Sequence, residues 1–137
     1  MAVPRHKHAA ALLADGKVLI IGGSDARDYR GRYASTEIFD PAIGEFSPGP
    51  AMRWGRHKIR DAVGVLPSGT VLVAGGAARP EYFDPDDRIF LATEGELSGP
   101  RMFATATLLL TGEVLVLGGY DDRIQSSASA WLVDTTR

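Results

Sequence analysis

The chain has 137 residues, 23% of them charged, and a formal net charge of −2. That balance offers no electrostatic hold on nucleic acid or on an anionic membrane surface. With no cysteine, disulfides and thiolate chemistry are excluded, and no apolar run approaches the length of a membrane span.

The opening Met1-Ala-Val-Pro-Arg-His6 lacks an apolar leader core, so a cytoplasmic protein is expected. From Arg5 to Gly23 two apolar runs flank Asp15-Gly16. Asp-Gly between such runs predicts a hairpin, because both turn residues must tolerate positive φ. The second run, Val18-Leu-Ile-Ile21, is apolar at successive positions, as in a strand buried on both faces. After Gly22-Gly23 come a loop and a third run, Glu37-Ile-Phe-Asp40, which Pro41 ends. A fourth run follows at Gly44-Glu-Phe-Ser47. The same order returns with Ser68-Gly69, Val71-Leu-Val-Ala-Gly-Gly76, Glu81-Tyr-Phe-Asp-Pro85 and Arg88-Ile-Phe-Leu91. It returns again with Thr111-Gly112, Val114-Leu-Val-Leu-Gly-Gly119 and Trp131-Leu-Val-Asp134, and there the fourth run is missing. The glycine pairs start at Gly22, Gly75 and Gly118, intervals of 53 and 43 residues that mark a repeat architecture. Each unit reads as a four-stranded antiparallel meander. No apolar stripe at helical spacing extends past two turns.

Taken together, Arg5-x-x-His8-x-Ala10-x-Leu12-Leu13, the Asp-Gly-Lys-Val-Leu-Ile-Ile-Gly-Gly run, Glu37-Ile-Phe-Asp-Pro41 and Phe46-Ser-Pro-Gly-Pro-Ala-Met52 resemble a kelch repeat. The resemblance covers almost the whole chain. It implies an all-β fold, a β-propeller in which each repeat forms one blade. The expected arrangement is one unit over 1–137, with blades at 5–52, 53–100 and 101–137, the last incomplete. Two departures stand out: Asp61 and Ala104 replace the histidine at the position of His8. Propellers close with roughly four to eight blades, so three cannot close a ring. A homodimer joining blade 1 to blade 3 head-to-tail would complete six; the alternative is a half or fragment of a larger propeller.

In such a meander, the loop between strands two and three lies on the same face as the link between blades. That face varies in length from unit to unit, as recognition surfaces do, while the short hairpins opposite look structural. On it we expect ligand-binding residues at Asp25, Arg27, Asp28, Tyr29, Arg30, Arg32, Trp54, Arg56, His57, Tyr120, Asp121, Asp122 and Arg123. Arginine and aromatic side chains are enriched at binding hot spots, and an arginine fork grips carboxylates. The competing reading is a solvated loop with local pairs such as Asp25 or Asp28 with Arg27 or Arg30. His6 and His8, two apart on a strand, would point the same way, but His8 reads as a structural residue bonding across blades. His57 reads as a surface or ligand contact, and Trp131 as a residue covering the missing strand.

Kelch relatives that are copper radical oxidases need a cysteine-linked tyrosine, which this chain cannot form. The Gly-x-Ser-x-Gly nucleophile motif is absent, and the glycine pairs precede no helix that could bind phosphate. No metal or cofactor is expected. The sequence therefore reads as a non-enzymatic scaffold for a protein segment or a small polar ligand. An enzyme or carbohydrate-binding protein using the same face is the alternative.

Overall fold

The computed structural model describes residues 1–136, and the fold is built from strands. There are three antiparallel sheets among the described residues, of four, four and three strands. The first contains β1 (Ala9–Leu12), β2 (Val18–Ile21), β3 (Thr36–Asp40) and β4 (Glu45–Pro48). The second contains β5 (Val63–Val65), β6 (Val71–Val73), β7 (Glu81–Asp84) and β8 (Ile89–Ala92). The third contains β9 (Thr105–Leu108), β10 (Val114–Leu117) and β11 (Ala130–Val133). Each sheet is a meander in chain order, matching the order of apolar runs.

The turns follow from the residues at them. At the first hairpin of every sheet the same backbone bond forms: Gly16 N–H to the Leu13 carbonyl, Gly69 to Leu66 and Gly112 to Leu109. The three glycines have φ of 85°, 87° and 93°, the left-handed region that an L side chain rarely enters. An aspartate at the end of each third strand, or just after it in the third sheet, then starts the next turn. Asp40, Asp84 and Asp134 each accept a hydrogen bond from the backbone N–H two residues on, an Asx turn. β7 starts at Glu81, the first residue of its apolar run. The Arg79 carbonyl is taken by the Arg56 guanidinium, and Pro80 has no N–H to give to a strand.

The central strand of the second sheet, β6, is buried on both faces because a sheet lies on each side. Between the first two sheets, Ala9, Ala11, Leu19, Ile21 and Ile38 meet Val71, Val73 and Phe83. Between the second and third, Ala62, Leu72 and Tyr82 meet Ala104, Val114, Val116 and Val133. Across the outer strands, Phe39 stacks on Phe46 at 4.9 Å and Phe83 on Phe90 at 5.2 Å, in the register of opposed residues.

In each of the first two sheets, an arginine from the preceding segment locks the glycine turn to the third strand. Arg5 Nε bonds Glu37 at 3.0 Å, and its Nη1 donates to the carbonyls of Gly22 and Ser35. Arg56 repeats this with Glu81, Gly75 and Arg79. Both pairs are almost fully buried, at 0%/5% and 0%/1% side-chain exposure. Burial works against the charge on Arg56, and the Glu81 carboxylate offsets it. In the third sheet Trp131 occupies the carboxylate position, and the Arg101 guanidinium lies 5.3 Å from its ring centre. A π face there substitutes for an ion pair. Beside β11, where the sister sheets carry a fourth strand, a groove of about 620 Å³ runs between Tyr82, Leu91, Thr93, Leu97, Trp131 and Val133. The corresponding groove between the first two sheets measures about 150 Å³.

Candidate functional site

The loops after the glycine pairs and the links between sheets gather on one side of the molecule. Their meeting point is Asp28. It begins a short 3-10 turn, Asp28–Gly31, and has φ 57°. Its carboxylate takes a 2.7 Å bond from Lys7 Nζ and a 3.2 Å contact from Lys58 Nζ. Lys7 belongs to the segment before the first sheet and Lys58 to the link before the second, so one carboxylate ties three segments together. The Lys7 hydrogen bond, with help from Lys58, holds the Asp28 carboxyl down at about 2.

His57 lies under this cluster with no exposed surface. Its Nε2 is 3.2 Å from Asp28 Oδ1 but not aligned for a hydrogen bond, and neither ring nitrogen has a partner among the described residues. Burial, reinforced by the neighbouring Lys58 charge, pushes its pKa down to about 4. The imidazole is therefore neutral near pH 7. The Tyr29 ring meets it edge-on at 6.1 Å, and the Arg32 guanidinium lies 3.8 Å from the centre of the Tyr29 ring. On the side of the third sheet, Lys58 Nζ lies 5.4 Å from the Tyr120 ring and 5.9 Å from that of Phe103. Burial opposes the charge on Lys58, but hydrogen bonding to Tyr120 and to Asp28 outweighs it and raises the pKa.

The other predicted residues divide by role. Asp25 is occupied by Arg27, whose side-chain and backbone hydrogen bonds lower its pKa, and the pair is local and exposed. Asp28 does not pair with Arg27 or Arg30; it turns inward to the two lysines. Asp121 caps its own loop, accepting from the N–H of Gln125 and Arg123, which lowers its pKa. Arg30, Asp122 and Arg123 are exposed. Trp54 is half-buried, with the exposed Arg53 guanidinium 5.3 Å and the buried Arg56 guanidinium 5.9 Å from its ring. Arg56 faces inward to Glu81 and is wholly buried. It holds the fold and is not presented to solvent.

The two N-terminal histidines do not point together. Lys7 between them has φ 58°, which breaks strand alternation before β1 begins at Ala9. His6 Nε2 donates to the Asp25 carbonyl at 2.6 Å, so this nitrogen carries the proton. His8 makes no bond across sheets: its Nδ1 is buried without a partner among the described residues. No group of three or more metal-ligating side chains occurs among the described residues. No helix among them is long and apolar enough to cross a membrane.

The sequence reading missed Lys7 and Lys58. Both sit in quoted segments, Arg5-His-Lys-His8 and Arg53-Trp-Gly-Arg-His-Lys58. Their shared position, two residues after an arginine of the Arg–His–Lys triplet, is a signal visible in the sequence.

Residues 5–53 match the family model for the Kelch motif, which bears out the resemblance carried by the first repeat. A search of curated proteins finds no match.

Proposed function

We propose that this chain, whose first repeat is a Kelch motif, is an arc of β-propeller blades acting as a non-enzymatic binding scaffold. The ligand is an extended protein segment bearing carboxylates, held on the face that carries the long loops. One observation carries the reading: three acids of this face, Asp25, Asp28 and Asp121, are spent internally while several arginines are not, and Asp122 is left exposed. Asp25 is engaged by Arg27, Asp28 by Lys7 and Lys58, and Asp121 by its own loop. Arg30, Arg53 and Arg123 are exposed and have no carboxylate within ion-pair distance among the described residues. Arginine forks left free beside Tyr29 and Trp54 suit a carboxylate flanked by apolar groups. The rigid sheets below fix the loops, so little ordering would be needed on binding.

Panning a displayed random-peptide library against the protein tests this. The expected result is enrichment of acidic peptides that bind the wild type and bind Arg30→Ala and Arg123→Ala several-fold more weakly. Both variants should keep the wild-type melting temperature, since neither side chain is buried. Enrichment of neutral or basic peptides, or binding indifferent to both substitutions, would overturn the reading.

A further inference from the structure

The outer strands of the first two sheets share one backbone pattern and differ in what guards them. In the first sheet Pro48 of β4 stands opposite Glu37; in the second, Ala92 of β8 stands opposite Glu81. The two ladders run in the same phase. The Gly49 N–H donates to the Thr36 carbonyl and the Thr93 N–H to the Pro80 carbonyl. The residue before each donor, Pro48 or Ala92, therefore turns its backbone groups away from the third strand. Pro48 has no N–H to present there, whereas Ala92 has one. Glu45 and Ser47 of β4 likewise stand where β8 has Ile89 and Leu91. Proline and charged side chains are the usual means of keeping an edge strand single, and β4 carries both. β8 carries neither.

β8 is the outermost strand of its sheet, and Phe90 and Ala92 point their N–H and C=O groups outward. None of these outward groups has a hydrogen-bond partner among the described residues. The edge lies inside the chain, between the turn after β7 and the link to the third sheet. Its flanks are acidic. Asp86, Asp87 and Glu94 are exposed beside a single exposed arginine, Arg88. Glu96 is already paired with Arg79 at 2.7 Å.

We propose that β8 takes up an extended segment of a partner protein as a fifth strand of the second sheet. The centre of that segment is apolar and β-branched, to lie beside Ile89, Phe90 and Leu91, and a lysine or arginine stands beyond each end. The N–H groups of Phe90 and Ala92 donate to its carbonyls, and their own carbonyls accept from its N–H groups. Charge favours this occupant over a second copy of the chain. Pairing β8 with another β8 would bring the acidic flanks of both copies together, and like charges across a ladder destabilise it. The inference rests on the edge of the second sheet and stands apart from the reading of the loop face.

Two capped heptapeptides serve as probes: Lys-Val-Thr-Val-Thr-Val-Lys, and the same sequence with glutamate at both ends. Each is titrated into the isotopically labelled chain, with amide hydrogen exchange read residue by residue. The lysine peptide should slow exchange at Phe90 and Ala92, while Leu91, which faces β7, changes little. Ala92→Pro copies the residue that the first sheet carries at this position, so it should keep the wild-type melting temperature. It should weaken binding of the lysine peptide roughly three- to tenfold, the loss of one hydrogen bond. The glutamate peptide should bind several-fold more weakly than the lysine peptide. Unchanged exchange at Phe90 and Ala92 overturns the proposal, whether or not Ala92→Pro folds. So does equal binding by the folded variant, or equal or tighter binding of the glutamate peptide. A wild-type dimer by light scattering that Ala92→Pro dissociates would also overturn it, making a second copy the occupant.

Discussion

His57 is a neutral, solvent-free imidazole wedged beneath a carboxylate and two ammonium groups, and it makes the fold sensitive to acid. Its folded pKa, about 4, lies below its ordinary 6.5. The unfolded chain therefore binds more protons across that interval, and stability rises with pH through it. Acidification from about pH 6.5 toward pH 4 should lower the urea midpoint progressively. His57→Gln should flatten that slope. Asp28, held at about 2 against an ordinary 3.8, acts in a lower window and is separable. A slope that survives His57→Gln unchanged would place the titrating group elsewhere. His57 was legible as a residue of this face from its neighbours Trp54 and Arg56. Its burial was not, because burial depends on Tyr29 and Asp28, which lie more than twenty residues away in the chain.

At the scale of strands and links, the three sheets solve one problem in two ways. An arginine precedes each sheet, and it meets a partner on the third strand. Glu81 supplies a carboxylate to Arg56, whereas Trp131 supplies a ring to Arg101. Glu81→Ala leaves a buried guanidinium unpaired and should cost roughly 3–5 kcal/mol. Trp131→Ala, at a half-buried site, should cost about 1–3 kcal/mol. Trp131→Glu should recover part of the second loss by restoring an ion pair. Denaturant unfolding of the three variants measures these differences, and equal losses for Trp131→Ala and Trp131→Glu would refute the role given to Arg101. Trp131 was expected to cover a missing strand. It instead turns toward Arg101 and borders the groove beside β11, which remains open among the described residues. The strands and hairpins themselves were readable from apolar runs and Asp-Gly-type turns. The arginine crossings were not, since Arg5, Arg56 and Arg101 look like surface residues until Glu37, Glu81 and Trp131 are brought beneath them.

For the molecule as a whole, the second sheet belongs to both apolar clusters, one shared with the first sheet and one with the third. Phe83 is 1% exposed in the first of these, and Phe83→Ala should cost roughly 3–5 kcal/mol. Phe46→Ala, at a 40% exposed position on an outer strand, should cost far less. Denaturant unfolding measures both, and equal losses would refute the place given to Phe83.

The sequence alone determined the local plan: three repeats, the order of strands in each, the position of every first hairpin, and the side on which variable loops would fall. These features are written in short-range patterns, where alternation, a glycine at positive φ and an aspartate before a turn act over a few residues. Tertiary structure decided the rest. It buried Arg56 and His57, turned His6 away from His8 through the left-handed Lys7, and drew Asp28 to Lys7 and Lys58. Those outcomes depend on which distant backbone and charge come within a few ångströms, and no local pattern along the chain carries that information.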